Sequence, residues 1–230
     1  MFSHIFLAVT PGELAELRPP QAAFMACHFS VYGKGLSNLP QQLPNGSMIL
    51  LDDSTPPCGH DPQVVCEQLK RLVETFAVKA ILLDFQGVQT EEHTVMAKHL
   101  TSNLPCPVAV TAQYAKTLGC PVFLAPPAAN QPLNTYLAPW LKQGVYLEIA
   151  PMATQITVTE SGSTSLPISV AKDLPLADKR LLCHYNVEIF TQKVVFTLQR
   201  AKEDLIGLVQ QANNMGVFGC IGLYQELKQL

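Results

Sequence analysis

Five acidic or amide side chains stand at or near the ends of apolar runs. Asp52 and Asp53 follow "MILL", Asp84 and Gln86 follow "AILL", and Glu148 lies within "VYLEIA". A carboxylate at the exit of a buried strand is costly to desolvate unless it pairs or faces a wet cleft. Acids gathered in one cleft raise one another's pKa, and a protonated one can donate to a reacting oxygen. Tyr146 beside Glu148, and His184 with Tyr185 in "LLCHYNV", add two hydroxyls and a base to the candidate ligand-binding set. Asp52, Asp53, His60, Asp84 and His184 are also oxygen and nitrogen ligands of the kind divalent metals take. The HxH, HExxH and CxxC spacings are absent, however, and neither metal nor cofactor is expected.

Each residue also has a plainer reading. Asp52 and Asp53 begin a turn in "DDSTPP", Glu148 can face solvent, and His28, His60 and His184 fit hydrogen-bonded loop or core positions. Asp84 is the strongest site candidate, because it directly ends a run that is apolar on both faces.

The elements that position these residues follow from periodicity. Apolar strands alternate with helical segments from about residue 22, which is the pattern of a parallel sheet wrapped by helices. The clearest unit runs from a strand at Met48–Leu51 through an Asp61-Pro62 cap into a helix from Pro62 to about Phe76, then into "KAILLDF". Further strands are expected at 22–29, 107–113, 121–125, 145–150, 181–187, 193–199 and 217–224, with helices at 91–102, 133–142 and 202–214. The segment 156–170 breaks the rhythm with Thr/Val alternation around Ser-Gly-Ser, and reads as an inserted β-hairpin. We therefore expect a single domain over 1–230, an α/β chain folded as a (β/α)8-type TIM barrel, modified or incomplete. In such a barrel all strand ends meet at one face, where functional groups collect. Only "QELKQL" follows the last strand, so the barrel is expected to lack a full covering helix there or to use a second copy of the chain as a homo-oligomer.

Composition narrows the partners. The chain is 48% apolar and 14% charged, with a net charge of −3, and its Lys and Arg are scattered, so no basic footprint for nucleic acid exists. No apolar window approaches a membrane span, and "MFSHIFLAVTPGELAEL" has no basic residue ahead of its five-residue apolar run, so neither a membrane nor a secretory leader is expected. Seven cysteines, most of them in apolar segments, fit a reducing, cytoplasmic setting.

The stretches "MILLDDS", "QVVCEQLKRLVETFAVKAILLDFQ" and "GVFGCIGLYQEL" together resemble the glycoside hydrolase family 18 barrels, the chitinase-like group. In that family a helix runs into a strand ending in DxxDxDxE, and the last strand is a glycine-led apolar stretch ending at an aromatic. Aligned on that pattern stand Lys79, Leu82, Asp84 and Gln86. The resemblance implies a saccharide ligand, with Asp84 at the position that orients an acetamido group and Gln86 at the position of the catalytic acid. Glutamine cannot donate a proton as a carboxylic acid does, so family-type acid catalysis is expected to be absent. The strand "VYLEIAPM" resembles the family's sixth, which carries a Tyr-Asp pair after Met; Tyr146 and Glu148 stand here in another order. Three functions remain open: a barrel binding a saccharide or serving as an interaction module, a glycosidase using Asp84 with Glu148 or Asp52, and a metal-dependent hydrolase.

Overall fold

Apolar runs of three to five residues with no polar alternation form strands covered on both faces, and seven of the eight strands of the barrel have such a core. In the computed structural model, which describes residues 5–17, 19–169 and 174–228, the chain begins with β1 (Ile5–Val9), α1 (Pro11–Leu17), β2 (Ala22–Phe29) and β3 (Leu36–Ser37). Then follow β4 (Met48–Asp52), α2 (Pro62–Phe76), β5 (Ala80–Asp84), α3 (Glu91–Asn103), β6 (Val108–Thr111), α4 (Ala112–Leu118), β7 (Val122–Leu124), α5 (Leu133–Leu137) and β8 (Val145–Glu148). A block of strands comes next: β9 (Ala153–Thr159), β10 (Gly162–Ile168), β11 (Leu176–Asp178), β12 (Cys183–Ile189) and β13 (Lys193–Gln199). The chain returns through α6 (Lys202–Asn214), β14 (Gly219–Leu223) and α7 (Tyr224–Leu227).

Eight parallel strands close into a ring in the order β1, β14, β8, β7, β6, β5, β4, β2, with β2 pairing back to β1 and the short β3 antiparallel to β2 outside it. Alternate residues split into two clusters. Phe6, Ala8, Ala23, Met48, Ala80, Leu82, Ala109, Phe123, Tyr146 and Ile221 fill the interior. Ile49, Leu51, Ile81, Leu83, Val110, Val122 and Leu147 belong to the cluster that includes the helices' buried residues. Among the helices α2 shows why the sequence folds here: Asp61 caps it by accepting from the Gln63 amide, Pro62 opens it, and Val65, Cys66, Leu69 and Leu72 are buried. Ala77 ends it in the left-handed region at φ 49°, a position more often held by glycine.

Three expectations change. First, Ile5–Val9 is the first barrel strand, hydrogen-bonded to both β14 and β2, so the ring is closed rather than incomplete and "VYLE" is the seventh barrel strand, not the sixth. Second, the hairpin at 156–170 appears as β9 and β10, but belongs to a five-stranded antiparallel sheet in the order β10, β9, β13, β12, β11, inserted between β8 and α6. The strands expected at 181–187 and 193–199 belong to this sheet and not to the barrel. Their alternation explains it: Cys183, Tyr185 and Val187 interleave with His184, Asn186 and Glu188, as in a sheet covered on one face. Third, the helix expected at 133–142 ends at Leu137, two residues before Pro139, and a short helix, α4, replaces the end of the strand expected at 107–113.

Arg200 fastens the insertion to the barrel. Its guanidinium is fully buried and donates to the carbonyls of Pro127, Gln131 and Leu181, joining the end of β13 to the loop after β7.

Candidate functional site

Parity and register bring three carboxyls to one mouth of the barrel. Met48 lies in the barrel interior, and two steps further along each strand Leu50 leads to Asp52 and Leu82 to Asp84; on β8, Tyr146 leads to Glu148. Asp52 and Asp84 are direct partners on neighbouring strands, and Glu148 lies opposite Ile221 of β14. The three acids line one cavity of about 170 Å³ at the C-terminal ends of the strands, with Met25, Leu50 and Phe123 among its apolar lining. Like charges directly opposite on neighbouring strands repel.

Burial and repulsion appear in the protonation of the group. Burial raises the Asp84 pKa above the usual carboxylate range, a hydrogen bond from Gln86 opposes this, and Asp53 and Asp52 add to the rise. Burial, then the charges of Asp84 and Glu226, push Glu148 from 4.5 up to about 7. Burial also raises Glu226, whose Oε2 is buried without a partner. Near neutrality Glu148 therefore exchanges a proton in a cavity it shares with two other carboxyls.

The remaining candidates divide. Gln86 is exposed, and its Nε2 donates to Asp84 Oδ1 at 2.8 Å, which joins the two residues in one hydrogen-bonded pair. Asp52 combines two readings: it lines the cavity while its Oδ1 accepts from the Ser54 amide at 2.8 Å, an Asx turn. Asp53, one residue on, is not among the cavity's lining. Its buried carboxylate accepts from the Gln86 amide at 3.1 Å and the Gly87 amide at 2.9 Å. The His93 Nε2 stands 3.2 Å from Asp53 Oδ2, an ion-pair distance whose angle falls outside that of a hydrogen bond.

Tyr146 points into the barrel interior two residues before Glu148. It packs edge-on to Phe218 at 5.7 Å, so it fills the barrel below the mouth. Burial drives its hydroxyl up to about 12. His184 and Tyr185 lie on β12 of the inserted sheet instead of at a barrel strand end. His184 Nδ1 is 3.0 Å from Asp204 Oδ2, and Tyr185 packs against the sheet's cluster of Cys183 and Leu198.

Sequence reasoning missed Glu226, signalled only by its place one turn beyond the last strand, and Thr111 and Gln113, which both donate to the Phe85 carbonyl at 2.9 Å. Of the aromatics near strand ends, Phe29, Phe85 and Tyr114 are buried against one another and His93, whereas Tyr32, on the loop after β2, is 99% exposed. Among the described residues no three His, Cys, Asp or Glu side chains converge as metal ligands, and no helix is long and apolar enough to cross a membrane.

No protein-family model and no curated protein matches the sequence. Solved structures do match the folded chain. A glycoside hydrolase family 18 N-acetylglucosaminidase from Paenibacillus barengoltzii superposes with a TM-score of 0.57 at 8% identity, over 98% of this chain and 98% of that one. The chain shares its barrel fold with this enzyme. A chitinase from Chromobacterium violaceum gives 0.55 at 10% identity over 99% and 98% of the two chains. A mutant family 18 chitinase from Cycas revoluta, in complex with (GlcNAc)4, gives 0.53 at 10% identity over 96% and 94%. At these identities the likeness carries the fold and no residue's role. In this barrel the sixth strand in chain order is β7, Val122-Phe123-Leu124, which holds no Tyr-Asp pair.

Proposed function

We propose that this glycoside-hydrolase-like barrel binds a saccharide at the mouth formed by Asp52, Asp84 and Glu148, and lacks family-type acid catalysis. One observation carries the reading: Gln86, at the acid position of the resemblance, is hydrogen-bonded to Asp84 at the rim of the cavity. An amide there can hold a hydroxyl or an acetamido group but has no acidic proton to give a leaving oxygen. The ligand class comes from the Cycas chitinase and its (GlcNAc)4, whose fold this chain shares. The cavity is smaller than the roughly 300 Å³ at which drug-sized pockets begin, so it suits one sugar ring or its substituent, with further rings along the rim. Tyr32, fully exposed on the loop after β2, offers an aromatic face at the same end of the barrel.

A second reading rests on Glu148. A carboxyl with a pKa near 7 in the same cavity as the Asp84 carboxyl is the arrangement of a general acid, supplied from a strand other than the one that carries the family motif. The test is binding and turnover of N-acetylglucosamine oligosaccharides by the wild type, Gln86→Glu and Glu148→Gln. Binding without turnover in the wild type, and turnover in Gln86→Glu, supports the first reading. Wild-type turnover abolished in Glu148→Gln supports the second. Absence of binding in all three refutes the saccharide and leaves the barrel as an interaction module.

A further inference from the structure

The three residues that leave β5 are held unusually firmly for a loop at an open barrel mouth. The Phe85 ring is fully buried, 5.9 Å from Phe29, 5.4 Å from the His93 ring and 6.0 Å from Tyr114. Its carbonyl accepts from both Thr111 Oγ1 and Gln113 Nε2, at the exit of β6. From the opposite side, at the exit of β4, the Asp53 carboxylate takes the next two amides: Oδ1 accepts from Gln86 N–H and Oδ2 from Gly87 N–H. The approach is close enough to select glycine, since a Cβ on residue 87 would lie 2.8 Å from Asp53 Oδ2. Thr90 Oγ1 is 2.9 Å from His93 Nδ1, which leaves the ring's Nε2 directed to the Asp53 side.

We infer that Asp53 is a positioning residue: it grips the Gln86–Gly87 backbone so that the Gln86 side chain stands against Asp84 at the mouth. A carboxylate accepting two backbone amides in a buried site makes charge-assisted bonds, which are stronger than neutral ones. With the backbone fixed on both sides, Gln86 retains only its side-chain torsions, and the bond to Asp84 removes most of that freedom. A ligand that meets the Gln86–Asp84 pair then finds it already assembled, which limits the ordering that binding would otherwise require. Asp53 touches no ligand in this scheme. This role deepens the saccharide reading and rests on it for its effect on affinity, while the clamp itself does not.

The test uses Asp53→Asn and Gly87→Ala. Asparagine has one acceptor oxygen and turns an NH2 toward the second amide, whereas alanine at position 87 keeps the carboxylate but pushes it away from the loop. Amide hydrogen exchange followed by NMR reads the clamp directly. The amides of residues 86 and 87 are expected to be protected in the wild type and to exchange at least tenfold faster in both variants, with the Ile81 and Leu83 amides unchanged. Affinity for an N-acetylglucosamine oligosaccharide is expected to fall by about tenfold in Asp53→Asn, the order expected for losing one such bond. It should show no further fall when Asp53→Asn is added to Gln86→Ala. An equal fall in both backgrounds would overturn the inference, because Asp53 would then act other than through Gln86. If the wild type binds no saccharide, that reading fails by itself and exchange decides the clamp: unprotected Gln86 and Gly87 amides in the folded wild type would overturn it.

Discussion

Replacing Glu148 with glutamine should stabilise the protein, and only on the alkaline side of a definite pH window. Burial and the neighbouring acids raise this carboxyl from 4.5 to about 7. An acid whose pKa is higher folded than unfolded opposes folding once it ionises: below pH 4.5 both states hold the proton and nothing is lost. Between 4.5 and 7 the unfolded chain releases its proton while the folded chain keeps it, so stability falls as pH rises; above 7 the loss is complete and constant. At about 1.4 kcal/mol per pH unit the loss comes to about 3.5 kcal/mol, and the solvent still reaching the carboxyl reduces it to about 2–3 kcal/mol. Glutamine has the same shape and no charge, so Glu148→Gln should match the wild type near pH 4 and exceed it by this amount at pH 8. For a chain of this size the gain corresponds to a rise of about 5–10 °C in Tm. Urea unfolding of both proteins at pH 4, 5, 6, 7 and 8 measures it. A difference independent of pH, or a variant less stable at pH 8, would refute the reasoning, since it would mean that Glu148 is as well solvated in the mouth as in the open chain.

Arg200→Met should cost about 3 kcal/mol in urea unfolding, because the Pro127, Gln131 and Leu181 carbonyls lose their buried donor together; a loss below about 1 kcal/mol would mean that water replaces the guanidinium. Tyr32→Ala should leave Tm within about 1 °C, as expected for a side chain with no burial to lose, and lower affinity for an N-acetylglucosamine oligosaccharide several-fold. Unchanged affinity on titration calorimetry would remove the ring-stacking role at the rim.

Local chemistry made much of the fold legible. Asp61-Pro62 announces α2, and the two four-residue apolar runs that flank it announce β4 and β5 in register with one another. Closure of the ring was not legible, because it depends on Ile5 to Ala8 meeting Cys220 to Leu223 across almost the whole chain, and nothing in a five-residue apolar run names so distant a partner. The inserted sheet was a different kind of miss. Its signature was present in the alternation of "CHYNVEI", and the rhythm of the surrounding barrel obscured it. That error carried His184 and Tyr185 to a barrel mouth that they do not reach.

The site was legible in kind but not in detail, and the reason lies in the strands themselves. A strand with one face in water alternates polar and apolar residues, so its sequence states which side chains point inward. A strand covered on both faces does not: Met48, Ile49, Leu50 and Leu51 are all apolar, and nothing in them shows whether Asp52 or Asp53 continues the interior row. The interior position of Met48 decides it, sending Asp52 to the cavity and Asp53 outward beneath the neighbouring loop. The same step of two puts both Tyr146 and Glu148 inside the barrel, yet only Glu148 is far enough along β8 to reach the mouth. The double burial that makes these strands easy to find therefore erases the parity that assigns their acids. Asp52 and Asp53, adjacent in sequence, consequently take opposite tasks: one faces the cavity and the other holds the loop that carries Gln86.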